Sequence, residues 1–218
     1  MFSVVGETRQ RILDAIRDRG SMSVEQMAQA LELSSPAIRR HLDILQRDHL
    51  VYFRLGGKKP GRPEYIYVLT EAGHEAGYRD YPQLLTLLLN NIRGLSSTDL
   101  AEKEGAEVLN LLMDRVSDQL NATHLGPLRS STESRLSKLE SALTVQGFAP
   151  RINYTDGHAE IHLCNCPFRA AAMCEESVCR SDQRLISSIM GVEPELQACI
   201  RDGAAQCTYL VKLNDSTA

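Results

Sequence analysis

The sequence predicts an α+β protein in three consecutive parts: a winged helix-turn-helix over residues 1–80, a helical connector over 81–130 and an α+β, cysteine-rich segment over 131–218. Three observations predict it. Apolar residues recur at helical spacing through residues 8–47 and then give way to two β-rich runs. A Leu-rich helical stretch follows. All six cysteines then lie between residues 164 and 207. The chain has 218 residues, with 43% hydrophobic and 24% charged side chains and no Trp. That composition fits one large or two small globular domains and excludes disorder as the main state. No stretch reaches the roughly 18 apolar residues of a membrane span, and Met1 to Gly6 lacks an export-signal pattern. A cytoplasmic protein is therefore expected. In that compartment the cysteines are thiols, metal ligands or redox sensors sooner than a disulfide frame.

The first part is justified element by element. Thr8 to Arg19 carries Ile12, Leu13 and Ile16 on one face and stops at Gly20, where a helix C-terminus favours glycine. Ser23 with Gln26 forms a capping-box pattern ahead of Met27, Ala30 and Leu31, a second short helix. Ser35 is expected as the N-cap of the third helix, with Pro36 at its first position, where a missing N–H costs nothing. On that helix Ile38, Leu42 and Leu45 share the buried face, which leaves Arg40 and Arg47 opposite and Arg39 on the flank. His41 sits beside the apolar stripe as a packing residue. Leu50 to Arg54 and Tyr65 to Leu69 read as strands joined by a Gly- and Pro-rich loop that carries Lys58, Lys59 and Arg62.

The charge is uneven in the same way. The net charge of −4 for the whole chain conceals 11 basic against 8 acidic residues over 1–70. Within Ser34 to Arg62 there are 7 basic against 2 acidic residues, an excess that a polyanion feels. Arginines on an exposed helix pair with guanine or phosphate, a helix N-terminus with a Ser hydroxyl meets a phosphate, and a cationic loop follows a phosphate strand. Ser35, Arg39, Arg40, Lys58, Lys59 and Arg62 are thus the candidate DNA contacts. The run Leu33-Ser-Ser-Pro-Ala-Ile-Arg-Arg-His-Leu-Asp-Ile-Leu45, with His49-Leu-Val51, Gly61-Arg-Pro63 and Tyr67-Val-Leu-Thr70, resembles the winged-helix domain of ArsR/DeoR-type bacterial transcription regulators.

In the connector, Pro82 to Gly94 and Thr98 to about His124 are expected as helices, the second with Leu109, Leu112, Val116 and Leu120 in a stripe. Either a dimer interface or an intramolecular core accounts for that stripe; two recognition helices about 34 Å apart read a two-fold operator. Gly126 and Pro127 break the chain before a helix over Glu133 to Val145.

The last part begins with a hairpin, Phe148 to Tyr154 and Ala159 to Asn165 around Asp156-Gly157, that delivers Cys164 and Cys166. Helical stretches are expected over Ala170 to Cys179 and Asp182 to Met190, then a short helix from Pro194 to Arg201 and a strand from Gln206 to Leu213. The thiols admit four readings: an iron–sulfur cluster, zinc, redox chemistry or inert core cysteines. There is no Cys-x2-Cys pair, no Gly-rich phosphate loop and no Ser/His/Asp arrangement, so no enzyme is expected and no small-molecule substrate. His158 and His162 share one side of a strand but form only a pair.

The stretch His162-Leu-Cys-Asn-Cys-Pro-Phe168, with Val178-Cys179 and Gly203 to Cys207-Thr-Tyr209, is similar to the cluster-binding region of the SufR-type repressors. These are iron–sulfur-sensing regulators of the operon that builds clusters. The resemblance implies Cys166, Cys179 and Cys207 as ligands of a [4Fe-4S] or [2Fe-2S] cluster. It leaves the fourth ligand among Cys164, Cys174, Cys199, Glu175, Asp182 and a small-molecule thiol. It further implies a homodimer that holds a palindromic double-stranded DNA operator while the cluster is bound and releases it on cluster loss. The alternative is a zinc- or thiol-redox-controlled winged-helix regulator.

Overall fold

A computed structural model describes residues 6–56, 64–122, 131–155 and 157–213. The chain divides into two units, Met1–Tyr78 and Arg79–Ala218. Among the described residues no helix is long and apolar enough to cross a membrane.

In the first unit α1 (Glu7–Arg19) ends at Gly20, whose φ of 75° suits glycine. The strand β1 (Met22–Ser23) leads into α2 (Val24–Leu31), where the Ser23 hydroxyl accepts from the Gln26 N–H and the Gln26 side chain accepts from the Ser23 N–H. The third helix, α3 (Ser35–Arg47), is capped by Ser34, whose hydroxyl accepts from the Ala37 N–H at 3.4 Å. This corrects the expectation by one residue: Ser34 has the extended backbone an N-cap needs, and Ser35 and Pro36 already lie in the first turn, where N–H groups lack helical partners. Ile12, Leu13, Ile16, Met22, Met27, Ile38, Leu42 and Leu45 close the core with no exposure. The antiparallel strands β2 (Val51–Leu55) and β3 (Tyr65–Leu69) complete a sheet of order β1-β3-β2. A Gly56 N–H to Glu64 carbonyl bond of 2.7 Å closes the base of the intervening loop. Thr70 then caps the short α4 (Glu71–Glu75) and donates its hydroxyl to the His49 carbonyl at 2.6 Å. Gly73 is packed so that a Cβ there would stand 2.0 Å from the Leu50 carbonyl oxygen.

The second unit starts with α5 (Tyr81–Arg93), followed by α6 (Ser97–Leu100) and α7 (Gly105–Asn121). The expected single helix from Thr98 to His124 is thus two. Glu102 turns the chain with φ 55°, and Glu104 opens α7 with a capping box to Glu107. His124, Gly126 and Pro127 lie outside the described residues. Leu84 of α5 packs with Met113, Val116 and Leu120 of α7, so the described part of the connector belongs to the second unit's own core.

Beyond α8 (Thr132–Val145) comes an antiparallel sheet of β4 (Pro150–Thr155), β5 (His158–Leu163), β6 (Glu195–Ala198) and β7 (Cys207–Lys212), in the order β4-β5-β7-β6. Between β5 and β6 the chain forms α9 (Arg169–Cys174), a 3-10 turn over Glu176–Cys179 and α10 (Arg180–Met190). Leu139 and Leu143 of α8 and Leu185, Ile186 and Ile189 of α10 bury the face formed by Ala159, Ile161, Leu163, Tyr209 and Val211. The helix expected from Pro194 to Arg201 is instead β6 followed by a 3-10 turn, Ile200–Asp202. Eight residues make only a marginal helix on their own, and the free edge of β7 offers ladder hydrogen bonds.

Candidate functional sites

On the first unit Arg39 and Arg40 are exposed on α3, while the opposite face is sealed in the core. Arg39 is engaged in the free protein: its guanidinium donates to Glu25 at 3.2 Å, with both side chains more than half exposed. Ser35 is half-buried in the first turn of α3. Lys58, Lys59 and Arg62 lie outside the described residues. Flanking that loop, Phe53 and Tyr65 stack edge to face at 4.6 Å on the exposed side of the hairpin.

In the second unit the sheet register brings distant cysteines together. Leu163 pairs with Cys207, so the end of β5 stands beside the start of β7, and Cys166 follows three residues later. Cys179 closes the 3-10 turn and caps α10. Cys166, Cys179 and Cys207 line one small enclosed pocket with Phe168, Ser181 and Asp182. Cys166 packs against both the sheet core and the α5/α7 core. The pocket encloses about 20 Å³, the room of one water. Of the other thiols, Cys174 is exposed, and buried Cys164 donates to Gln206 at 3.3 Å. Cys199 is buried at the start of the 3-10 turn after β6. His162 contacts Thr208, Gln206 and Glu160.

Electrostatically this pocket holds anions badly on its own. Burial, with Asp182 next, pushes the thiols of Cys166 and Cys179 up to about 12 and raises that of Cys207 as well. Burial also raises the Asp182 carboxyl to about 7, against the opposing Tyr209 hydrogen bond. The positive charges of Arg79 and Arg169 act on Cys166 more weakly than burial does. Three thiols and a carboxyl in one apolar place ionise together only when a cation joins them, and a coordinated thiol is deprotonated outright. The donor set therefore fits a thiophilic metal group. Among the described residues, no three His, Cys, Asp or Glu side chains converge on a single metal ion.

Sequence reasoning missed a tie beside this pocket. The Arg79 guanidinium donates to the Asn165 side chain at 2.7 Å, and the Asp80 N–H donates to the Pro167 carbonyl at 3.0 Å. The Ala170 N–H donates to the Tyr81 hydroxyl at 3.0 Å. The first three residues of the second unit are thus hydrogen-bonded to the segment that carries Cys166. The one available signal was an Asn set between two cysteines.

Residues 6–52 match the family model of the bacterial regulatory protein, arsR family. The N-terminal unit thus carries an ArsR-family helix-turn-helix regulator domain, the class that its helices and hairpin define. No curated protein matches the chain. Similar solved structures include a double mutant of ZitR from Lactococcus lactis in apo form, 15% identical over 53% of this chain and 83% of that one, with a TM-score of 0.30. PadR from Bacillus subtilis in complex with operator DNA is 13% identical over 86% of this chain and 98% of that one, with a TM-score of 0.31. No site residue is carried over from either.

Proposed function

We propose that the chain is a SufR-type transcriptional repressor of an iron–sulfur cluster assembly (suf) operon. It binds a palindromic operator as a homodimer while it holds an iron–sulfur cluster and releases the operator when the cluster is lost. The observation that carries this reading is the meeting of Cys166, Cys179 and Cys207 in one pocket from three separate segments. Structural zinc sites draw on closely paired Cys knuckles, and no two of these three thiols form one, whereas a cluster takes widely spaced single thiolates such as these. The three thiolates would hold the group, and it supplies a reversible, oxidant-sensitive bond between those segments.

The chain's own residues do the rest. Arg39 and Arg40 meet the major groove, and Lys58, Lys59 and Arg62 follow the phosphates. The tie from Arg79, Asp80 and Tyr81 to residues 165–170 fixes the start of the second unit to the segment that carries Cys166. Cluster and operator then favour the same state reciprocally. The homodimer reading rests on α5, which is apolar on two sides: Leu84 is buried against α7, while Leu85, Leu89 and Ile92, at helical spacing, are 57%, 52% and 49% exposed.

The test is anaerobic purification with visible absorption, iron and sulfide analysis, and operator gel shift, on wild type and Cys166→Ser. Brown protein that binds the operator only while coloured, with a colourless Cys166→Ser variant, is expected. Colourless wild type after reconstitution that still binds the operator would replace this reading with zinc or thiol control.

A further inference from the structure

Asp182 is a buried carboxylate that the fold itself does not explain. It lies in the first turn of α10, three residues after Cys179, so the two share one helix face. Its side chain is 5% exposed, and it lines the pocket with Cys166, Cys179 and Cys207. One carboxylate oxygen, Oδ2, accepts from the Tyr209 hydroxyl at 3.1 Å. The other, Oδ1, is shielded from solvent and has no hydrogen-bond partner. The backbone N–H groups of Asp182 and Gln183 lie near the carboxyl, but neither closes a bond to Oδ1. A buried oxygen of this kind costs free energy unless something bonds to it.

Tyr209 stands two residues after Cys207 on β7, hence on the same face of the strand. One strand therefore supplies both a thiol and the hydroxyl that fixes the carboxylate, one helix start supplies a second thiol and the carboxylate, and Cys166 adds the third thiol from the segment after β5. Cys164, engaged with Gln206, and exposed Cys174 do not line the pocket; buried Cys199 lies outside its lining but close enough to act electrostatically on Cys179 and Cys207.

We propose that Asp182 is the fourth protein ligand of the group held by Cys166, Cys179 and Cys207, through Oδ1, and that Tyr209 is the positioning residue that orients it. The assignment rests on the cluster reading above. Oxygen is a harder and weaker partner for iron in such a group than a fourth thiolate, so one iron differs from its neighbours.

The test is anaerobic reconstitution of the full chain with ⁵⁷Fe(II) and sulfide, followed by Mössbauer spectroscopy and the rate of iron loss to a chelator. Wild type is expected to show one iron site distinct from the rest. Asp182→Cys is expected to keep the cluster and merge that site with the others. Asp182→Asn, nearly identical in shape, is expected to keep the thermal melt of the fold and lose iron faster. Tyr209→Phe is expected to weaken iron retention by about 10- to 100-fold, as outer-shell partners do. A wild-type spectrum with equivalent iron sites, or Asp182→Asn identical to wild type in spectrum and iron loss, overturns the assignment alone. Folded wild type that takes up neither iron nor sulfide overturns the cluster reading, and this assignment with it.

Discussion

Replacing Glu25 with Gln should tighten operator binding. In the proposed operator contact the Arg39 guanidinium turns to the DNA and leaves the Glu25 carboxylate, which it meets at 3.2 Å. Coulomb attraction at that distance in bulk water is about 1.3 kcal/mol. Both partners are more than half exposed, and side-chain entropy and salt reduce such a pair to about 0.2–1 kcal/mol. Glu25→Gln removes that cost before binding, which corresponds to roughly 1.4- to 5-fold tighter binding. Loss of a negative charge near the phosphates acts in the same direction. Fluorescence anisotropy with an operator duplex at several salt concentrations measures the gain, which should shrink as salt rises. In an Arg39→Ala background the gain from Arg39's release should vanish, a double-mutant cycle that isolates the pair. Unchanged or weaker binding by Glu25→Gln at low salt would show that Arg39 never has to leave, and the α3 contact would need redrawing.

Gly73→Ala should destabilise the DNA-reading unit by about 1–3 kcal/mol, because the new Cβ meets the Leu50 carbonyl at 2.0 Å and a backbone oxygen cannot rotate away. Amides of residues 6–56 should lose hydrogen-exchange protection by roughly 5- to 150-fold, and unaltered protection would contradict the packing. In metal-free protein at neutral pH, iodoacetamide should modify exposed Cys174 well before Cys166 and Cys179, whose thiols are pushed up to about 12; equal rates by mass spectrometry would refute this. The same shifts set a pH dependence. Asp182 retains its proton up to about 7, whereas an unfolded Asp ionises near 3.9, so its contribution is full below that value and is lost as pH rises to about 7. The thiols add a further loss above about 8.5, so metal-free protein should melt lower at pH 7.5 than at pH 5 in its second unit. Leu89→Glu should leave α5 helical by circular dichroism yet give a monomer in light scattering, with weakened operator binding; a persistent dimer would move the interface elsewhere.

The DNA-reading unit was legible because its signals are local. Capping residues, a proline in a first turn and three apolar positions in register place α1, α2 and α3, with the cap of α3 off by one residue, while the two-residue β1 and the short α4 were not foreseen. The errors fall where local preference lost to context. Thr98 to His124 carried one helical pattern, but Glu102 takes a left-handed backbone and two capping boxes restart the chain. Glu195–Ala198 has helix-forming residues yet completes a sheet edge. In the pocket, the residue types were readable and the convergence was not: Cys166, Cys179 and Cys207 meet because β5 pairs with β7 and α10 packs on their sheet. The Glu25–Arg39 pair and the Arg79–Asn165 bond, 14 and 86 residues apart, belong to the same class of fact.

The Arg79, Asp80 and Tyr81 bonds to residues 165–170 have a bearing on modularity. Every partner in them lies within Arg79–Ala218, so the linkage travels with that unit when the peptide between Tyr78 and Arg79 becomes a fusion point. A chimaera that puts a different DNA reader ahead of Arg79 inherits the pocket and these bonds as one cassette. Recombination at that peptide can therefore place the second unit behind a new DNA reader without rebuilding its interior.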